Sequence, residues 1–139
     1  MSGIEKISKT KIDKSLDENV RQYLVGNLAF PQQLQHIQDE NIEVGISHYK
    51  SFTADIPHVH TEVTEYQMIL AGVSIIKDLM TGNLIELQEG DFYVVHKNTP
   101  YAQKSSAGTK ILFFKHPGMN DKVPVEINAL CEEWLKEKI

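Results

Sequence analysis

The chain has 139 residues, 41% of them hydrophobic and 24% charged, which is one domain's worth and excludes a mostly disordered polypeptide. Nineteen acidic residues against fourteen basic ones give a formal net charge of −5, and such a surface argues against nucleic acid or an anionic membrane as partner. The single cysteine, Cys131, excludes an intrachain disulfide and a cysteine-based metal cluster.

From Met1 to Lys14, charges alternate with single apolar residues. There is no apolar core of a secretory signal there, and no run approaches the ~20 residues of a bilayer span, so the expected compartment is the cytoplasm. Ser15 to Leu24, with Asp17, Glu18, Val20, Tyr23 and Leu24, is expected to form a short N-terminal helix. Ile42, Val44 and Ile46 then alternate with Glu43, Gly45 and Ser47, the period of a strand. On that alternation His48 shares the apolar face and is expected to point into the interior. Further strands are expected at Tyr66 to Leu70, Val73 to Ile76, Leu84 to Leu87, Phe92 to Val95 and Ile111 to Phe114. Ala71-Gly72, Thr81-Gly82-Asn83, Glu89-Gly90-Asp91, Lys97 to Pro100 and Pro117-Gly118 punctuate them. Short strands at such spacing predict a sandwich or closed barrel. From Glu126 to Lys138, Ile127, Leu130, Cys131 and Trp134 recur at helical spacing, widened by Leu135. That amphipathic C-terminal helix is expected to cover the outside of the sheet, with Trp134 as a packing residue.

The chemistry concentrates in Pro57-His58-Val59-His60. Residues two apart diverge on a helix but share a face on a strand, about 6.5–7 Å apart, so only a strand lets both imidazoles reach one ion. Two imidazoles and a carboxylate are the ligands of facial-triad metals, with positions left open for water or substrate. Strict alternation selects Glu62 as the carboxylate; a turn between Thr61 and Thr64 would select Glu65 instead, and periodicity does not decide between them.

His58-x-His60, four residues, Glu65, six residues and Gly72 resemble the first motif of the cupins, H-x-H-x(3,4)-E-x(6)-G. Gly90-Asp91, followed by a strand, resembles the start of their second motif. The likeness runs from about Ile42 to Lys115. It implies an all-β fold, a double-stranded β-helix (jelly-roll barrel); with the chain length and the helical spacings above, the expectation is a single domain over 1–139, a barrel core at about 32–117, a short N-terminal helix and a C-terminal helix at about 126–138. It also implies that Glu65 joins His58 and His60, with Gln67 and Ile69 facing inward and Tyr66, Met68 and Leu70 outward. The departures are specific. Phe52 stands where the pattern has a glycine before the first histidine; His96, Asn98 and Ser105 replace the second motif's proline, glycine and asparagine. Tyr101 stands where a third metal histidine is expected.

Three readings of the site follow. His58, His60 and Glu65 alone hold a divalent transition metal (Fe, Mn, Ni or Zn); or Tyr101 adds a phenolate to a strongly Lewis-acidic ion such as Fe(III); or the metal has been lost. Tyr101 and His48 are the candidate acid/base groups, and Gln67 and Gln103 the candidate substrate contacts, Gln103 because it shares the face of Tyr101. His96 is expected in a surface turn, and His36 and His116 carry no assigned role. A divalent ion in such a site polarises carbonyls and hydroxyls, which suits isomerisation or epimerisation of a sugar-like metabolite; an Fe(II) dioxygenase and a non-catalytic small-ligand module are the alternatives. Outward apolar residues such as Tyr66 and Met68, and open sheet edges, predict a homodimer.

Overall fold

Alternation along short strands gives each strand one inward and one outward face, and two such sheets stacked together bury the inward set. A computed structural model describing residues 3–139 shows this arrangement; the first two residues of the expected 1–139 unit lie outside it. The order is α1 (Lys9–Glu18), β1 (Arg21–Gly26), β2 (Ile37–Gln38), β3 (Glu43–Tyr49), β4 (Thr53–Ala54), β5 (His58–His60), β6 (Thr64–Ala71) and β7 (Val73–Asp78). Then come β8 (Leu84–Gln88), β9 (Phe92–Val95), β10 (Tyr101–Ser105), β11 (Thr109–His116), β12 (Lys122–Pro124) and α2 (Ala129–Lys136). One sheet runs β2-β1-β3-β11-β6-β9 and the other β12-β5-β10-β7-β8, with β4 paired to β10. All pairings are antiparallel except β1 with β2. This is the mostly-β jelly roll expected, flanked by two short helices. Its sheet strands begin at Arg21 and end at Pro124, beyond the expected 32–117.

The base of the barrel is apolar. Ile69, Ile76, Leu87, Val95 and Ile111 pack with the rings of Tyr49 and Tyr101 in one buried cluster. On β6, Glu65, Gln67 and Ile69 are buried, matching the expected inward face.

The N-terminal helix differs from the expected Ser15–Leu24. It spans Lys9–Glu18, begins at Ser8, whose side chain accepts from the Lys11 N–H, and ends at Asn19. Asn19 Nδ2 donates to the Ser15 carbonyl at 2.9 Å, so a side chain takes up a helix-terminal acceptor. The chain then extends, and Gln22 lies opposite Ile46 in the β1–β3 pairing. Propensity read Val20 to Leu24 as helix; sheet pairing claims it.

On β3 the apolar stripe is the outward one. Ser47 and Tyr49 line the barrel cavity, whereas His48 lines a shallow hollow beside Asp17 and Asn19 of the N-terminal segment. The expectation that His48 points inward is therefore corrected. α1 lies against β1, with Leu16 1% exposed, so this sheet carries apolar side chains on both faces.

α2 starts at Asn128, whose side chain accepts from the Cys131 N–H at 2.8 Å. It is shorter than the expected 126–138, and Leu130 is 79% exposed and outside the buried stripe. Cys131 is the buried contact. Lys104 on β10 donates to the carbonyls of Trp134 and Glu137, both at 2.7 Å, satisfying acceptors where the helix dipole is negative. Its ammonium lies 4.4 Å from the centroid of the Trp134 ring, so Trp134 packs, as expected.

The β6–β7 corner requires a glycine. Gly72 has φ +83°, and a Cβ there would fall 2.6 Å from Thr109 Cα, whereas Gly82, with φ +79°, has no heavy atom within 4 Å of the same position. In urea denaturation Gly82→Ala is expected to cost about 1 kcal/mol and Gly72→Ala at least about 3 kcal/mol. Equal costs would show that crowding by Thr109 is unimportant.

Candidate functional site

Pairing of β5 with β10 puts His58 opposite Tyr101, and pairing of β12 with β5 puts Lys122 opposite His60. Residues 61–63 turn, and β6 begins at Thr64, which brings Glu65 to the same interior. A small cavity of about 40 Å³, partly open to solvent, is lined by His58, Glu65, Gln67, Tyr101 and Gln103 among others. A surface hollow shares Arg21, Asp55, His58 and Lys122 with it, so these four form its mouth. His60 is not on the wall itself; its ring centroid lies 5.0 Å from that of His58.

Hydrogen-bond partners assign the donors. His58 Nδ1 is 2.7 Å from the Ile56 carbonyl, which only accepts, so Nδ1 carries the proton. In the neutral ring Nε2 then accepts, and the Tyr101 hydroxyl donates to it at 3.0 Å. Burial holds the His58 pKa down to about 4, outweighing the raising effect of the Ile56 carbonyl. Burial, and next the Glu65 charge, push the Tyr101 phenol well above its ordinary value. Without a bound ion Tyr101 is thus a neutral O–H donor.

His60 Nδ1 donates to Asp121 Oδ1 at 2.6 Å. Asp121 Oδ2 accepts from the backbone N–H groups of Glu62 and Val63 at 2.7 and 2.9 Å. Burial pushes the Asp121 carboxyl up, but the His60 and backbone hydrogen bonds outweigh it and hold the group below its ordinary value. His60 Nε2 is left buried without a partner, 4.0 Å from Glu65 Oε1. Glu65 Oε2 accepts from Gln67 Nε2, and Gln67 Oε1 accepts from the Tyr93 hydroxyl. Gln103 Nε2 lies 3.1 Å from that hydroxyl and 2.8 Å from Ser74 Oγ. One chain of side chains therefore orients the carboxylate.

At the mouth, Arg21 donates through Nε to Ser47 Oγ at 2.8 Å and through one Nη to the Tyr49 hydroxyl at 3.1 Å. Burial lowers the hold of Lys122 on its proton, and the Arg21 charge lowers it further. Burial raises the Asp55 carboxyl, with Arg21 and Lys122 opposing. Deeper in, Lys115 Nζ lies 3.8 Å from Glu43 Oε1.

The structure therefore gathers His58, His60, Glu65, Gln67, Tyr101 and Gln103 in one region, and leaves His48 outside it. Glu62 is exposed and serves the turn through its backbone; His96 is exposed, as expected of a turn residue. Among the described residues, no three His, Cys, Asp or Glu side chains stand close enough to form a ready-made metal cluster. Sequence reasoning missed Asp121, Arg21, Asp55, Lys122 and Tyr93. Alternation along Phe92 to Val95 could have placed Tyr93 inward with Val95. Asp121 gives no local signal, because its partners lie 58–61 residues away.

No family model matches the chain, and no curated protein matches its sequence. Solved structures do match in fold. KdgF from Halomonas sp. aligns over 73% of this chain and 80% of its own, with 14% identity and a TM-score of 0.56. An uncharacterized conserved protein with a double-stranded β-helix domain from Klebsiella pneumoniae subsp. pneumoniae aligns over 81% and 96%, with 17% identity and a TM-score of 0.58. A chain from the crystal structures of the DMSP lyases RdDddP and RnDddQII aligns over 76% and 52%, with 14% identity and a TM-score of 0.59. The chain has the cupin fold, the double-stranded β-helix that its histidine motif resembles. The structures sharing that fold are mixed: enzymes and uncharacterized proteins stand side by side.

The His58 geometry sets a pH dependence. Its folded pKa of about 4 lies below the ordinary 6.5, so the unfolded chain takes up the proton first, and this contribution to stability is lost as pH falls from about 6.5 to about 4. Denaturation of metal-free protein should show that loss, and His58→Gln should remove it. An imidazole titrating near its ordinary value by NMR would contradict the assignment.

Proposed function

We propose that this protein binds a small polar metabolite beside a divalent transition metal held by His58, His60 and Glu65, and acts on it by isomerase- or epimerase-type chemistry. The observation that carries this reading is the pair His60 Nε2 and Glu65 Oε1. With Nδ1–H committed to Asp121, the ring turns Nε2 toward a carboxylate oxygen 4.0 Å away, and Nε2 has no hydrogen-bond partner. A buried imidazole nitrogen and a carboxylate oxygen that face each other without a bond are a natural pair of ligands for a cation. His58 offers a second Nε2 once Tyr101 turns aside. Together with the Glu65 carboxylate these two imidazoles would hold the ion.

When bound, the ion would polarise a carbonyl or hydroxyl of the ligand, or acidify a bound water. The residues do the rest. Asp121 and the Ile56 carbonyl fix the imidazole tautomers. Gln67, steadied by Tyr93, orients Glu65. Tyr101, a neutral hydroxyl at the wall, donates a hydrogen bond or a proton to a ligand oxygen. Fe(II) in the same place would favour dioxygenase chemistry instead. A non-catalytic ligand-binding module is the second reading, and the Tyr101 hydroxyl already occupying His58 Nε2 favours it.

Metal-free protein should take up one equivalent of Zn²⁺, Mn²⁺, Ni²⁺ or Fe²⁺ by calorimetry, and Asp121→Asn should weaken uptake by about 10–100-fold. His60→Gln and Glu65→Gln should weaken it more. Wild-type protein that binds none of these ions rejects the metal reading; ligand binding indifferent to a chelator then supports the non-catalytic one.

We further propose a homodimer formed through the outer face of β6, β9 and β11. There Tyr66 stacks on Phe92 at 6.2 Å and meets Phe114 at 6.0 Å, and Phe92, on an edge strand, is 66% exposed. Light scattering should give twice the chain mass, and Phe92→Asp should halve it; a monomeric wild type contradicts this.

A further inference from the structure

We propose that the cavity's ligand is an anion, a compact hydroxy- or oxo-carboxylate whose carboxylate is seated at the mouth by Arg21 and Lys122 while its oxygen functions reach inward past His58 to Tyr101 and Glu65. This rests on the ligand-binding reading above and specifies its substrate class.

Arg21 and Lys122 come from β1 and β12, distant in sequence, yet both line the cavity and the surface hollow that opens into it. Neither has a carboxylate within 4.0 Å among the described residues, whose ion pairs involve other cations. A guanidinium has five N–H donors. Arg21 commits donors only to Ser47 Oγ and the Tyr49 hydroxyl. Those two bonds orient the guanidinium without neutralising it. Lys122 Nζ has no hydrogen-bond partner among the described residues. Two cations at one opening, of which Arg21 is oriented and neither is in contact with an acid, outnumber the single nearby carboxylate of Asp55; they are a site for an anion, and the planar fork of arginine matches a carboxylate.

The other walls limit the anion's charge and size. Asp55 shares the mouth and Glu65 the interior, so a dianion such as a phosphate monoester meets opposing charge that a single carboxylate meets less. Glu43 lies beside Lys115, which removes that deeper cation from competition for the ligand. The hydroxyl- and amide-rich end, with Tyr101, Gln67 and Gln103, suits the ligand's neutral oxygens.

The test uses pairs that differ only in the carboxylate: lactate against propane-1,2-diol, and glucuronate against glucose, with glucose 6-phosphate as a further arm. Binding is followed by calorimetry and by side-chain NMR of Arg21 and His58, on the whole chain with and without Zn²⁺. A carboxylate is expected to bind at least about tenfold tighter than its neutral counterpart, more so at low salt, and tighter than the phosphate ester. Arg21→Met and Lys122→Met should each erase most of that preference and leave Zn²⁺ uptake intact. Lys122→Met, on the exposed strand β12, provides the answer if loss of the half-buried arginine impairs folding. Equal binding within both pairs, a stronger phosphate ester, a preference that survives Lys122→Met, or no perturbation by any carboxylate overturns the proposal. His60→Gln separates the two readings, since it should abolish Zn²⁺ uptake while the carboxylate preference persists in metal-free protein.

Discussion

The Asp121 carboxylate is the constraint on which the site depends. One oxygen takes the His60 Nδ1–H and the other takes two backbone N–H groups of the 61–63 turn. A charged acceptor with three donors is both strong and directional. It fixes which nitrogen of His60 faces the interior, and it holds the turn that resets the alternation between β5 and β6. Without that turn Glu65 would point away from the histidines and Glu62 would replace it. The residue sits just before β12, whose pairing with β5 brings Asp121 to His60.

The barrel interior is divided by chemistry. At its base, aliphatic side chains exclude water and supply the folding free energy. Toward the mouth, polar residues replace them, and nearly every one is tied to another: Gln67 to Glu65 and Tyr93, Gln103 to Ser74, Arg21 to Ser47 and Tyr49. A buried network satisfied in this way is rigid. Against it, the atoms left unsatisfied stand out. His60 Nε2 is buried and alone, and the cations at the mouth face no acid within contact.

Much of the fold was legible because short strands and glycine turns follow local rules. The helix that Val20 to Leu24 suggested became a strand through pairing with β3, a non-local effect. His48 was assigned to the wrong face for a related reason. Val44 and Ile46 form an apolar stripe, and an apolar stripe marks the interior only when a sheet has one buried side; here the N-terminal segment lies against the outer side. Glu65 was reached through the cupin-like motif rather than through alternation, which pointed to Glu62. Asp121, Arg21 and Lys122 were invisible because only the closed barrel brings them to β5. The Tyr101 departure from the motif proved informative in the structure, since its hydroxyl bonds the very nitrogen that a metal would take.

The central claim is that His58, His60 and Glu65 converge on a cation inside the barrel. Anomalous diffraction from crystals of the protein loaded with one equivalent of Zn²⁺ tests it most directly. The account predicts a single strong peak between His60 Nε2, His58 Nε2 and the Glu65 carboxylate, with His60 Nδ1 still on Asp121. A peak elsewhere, or none between those three side chains, would contradict it.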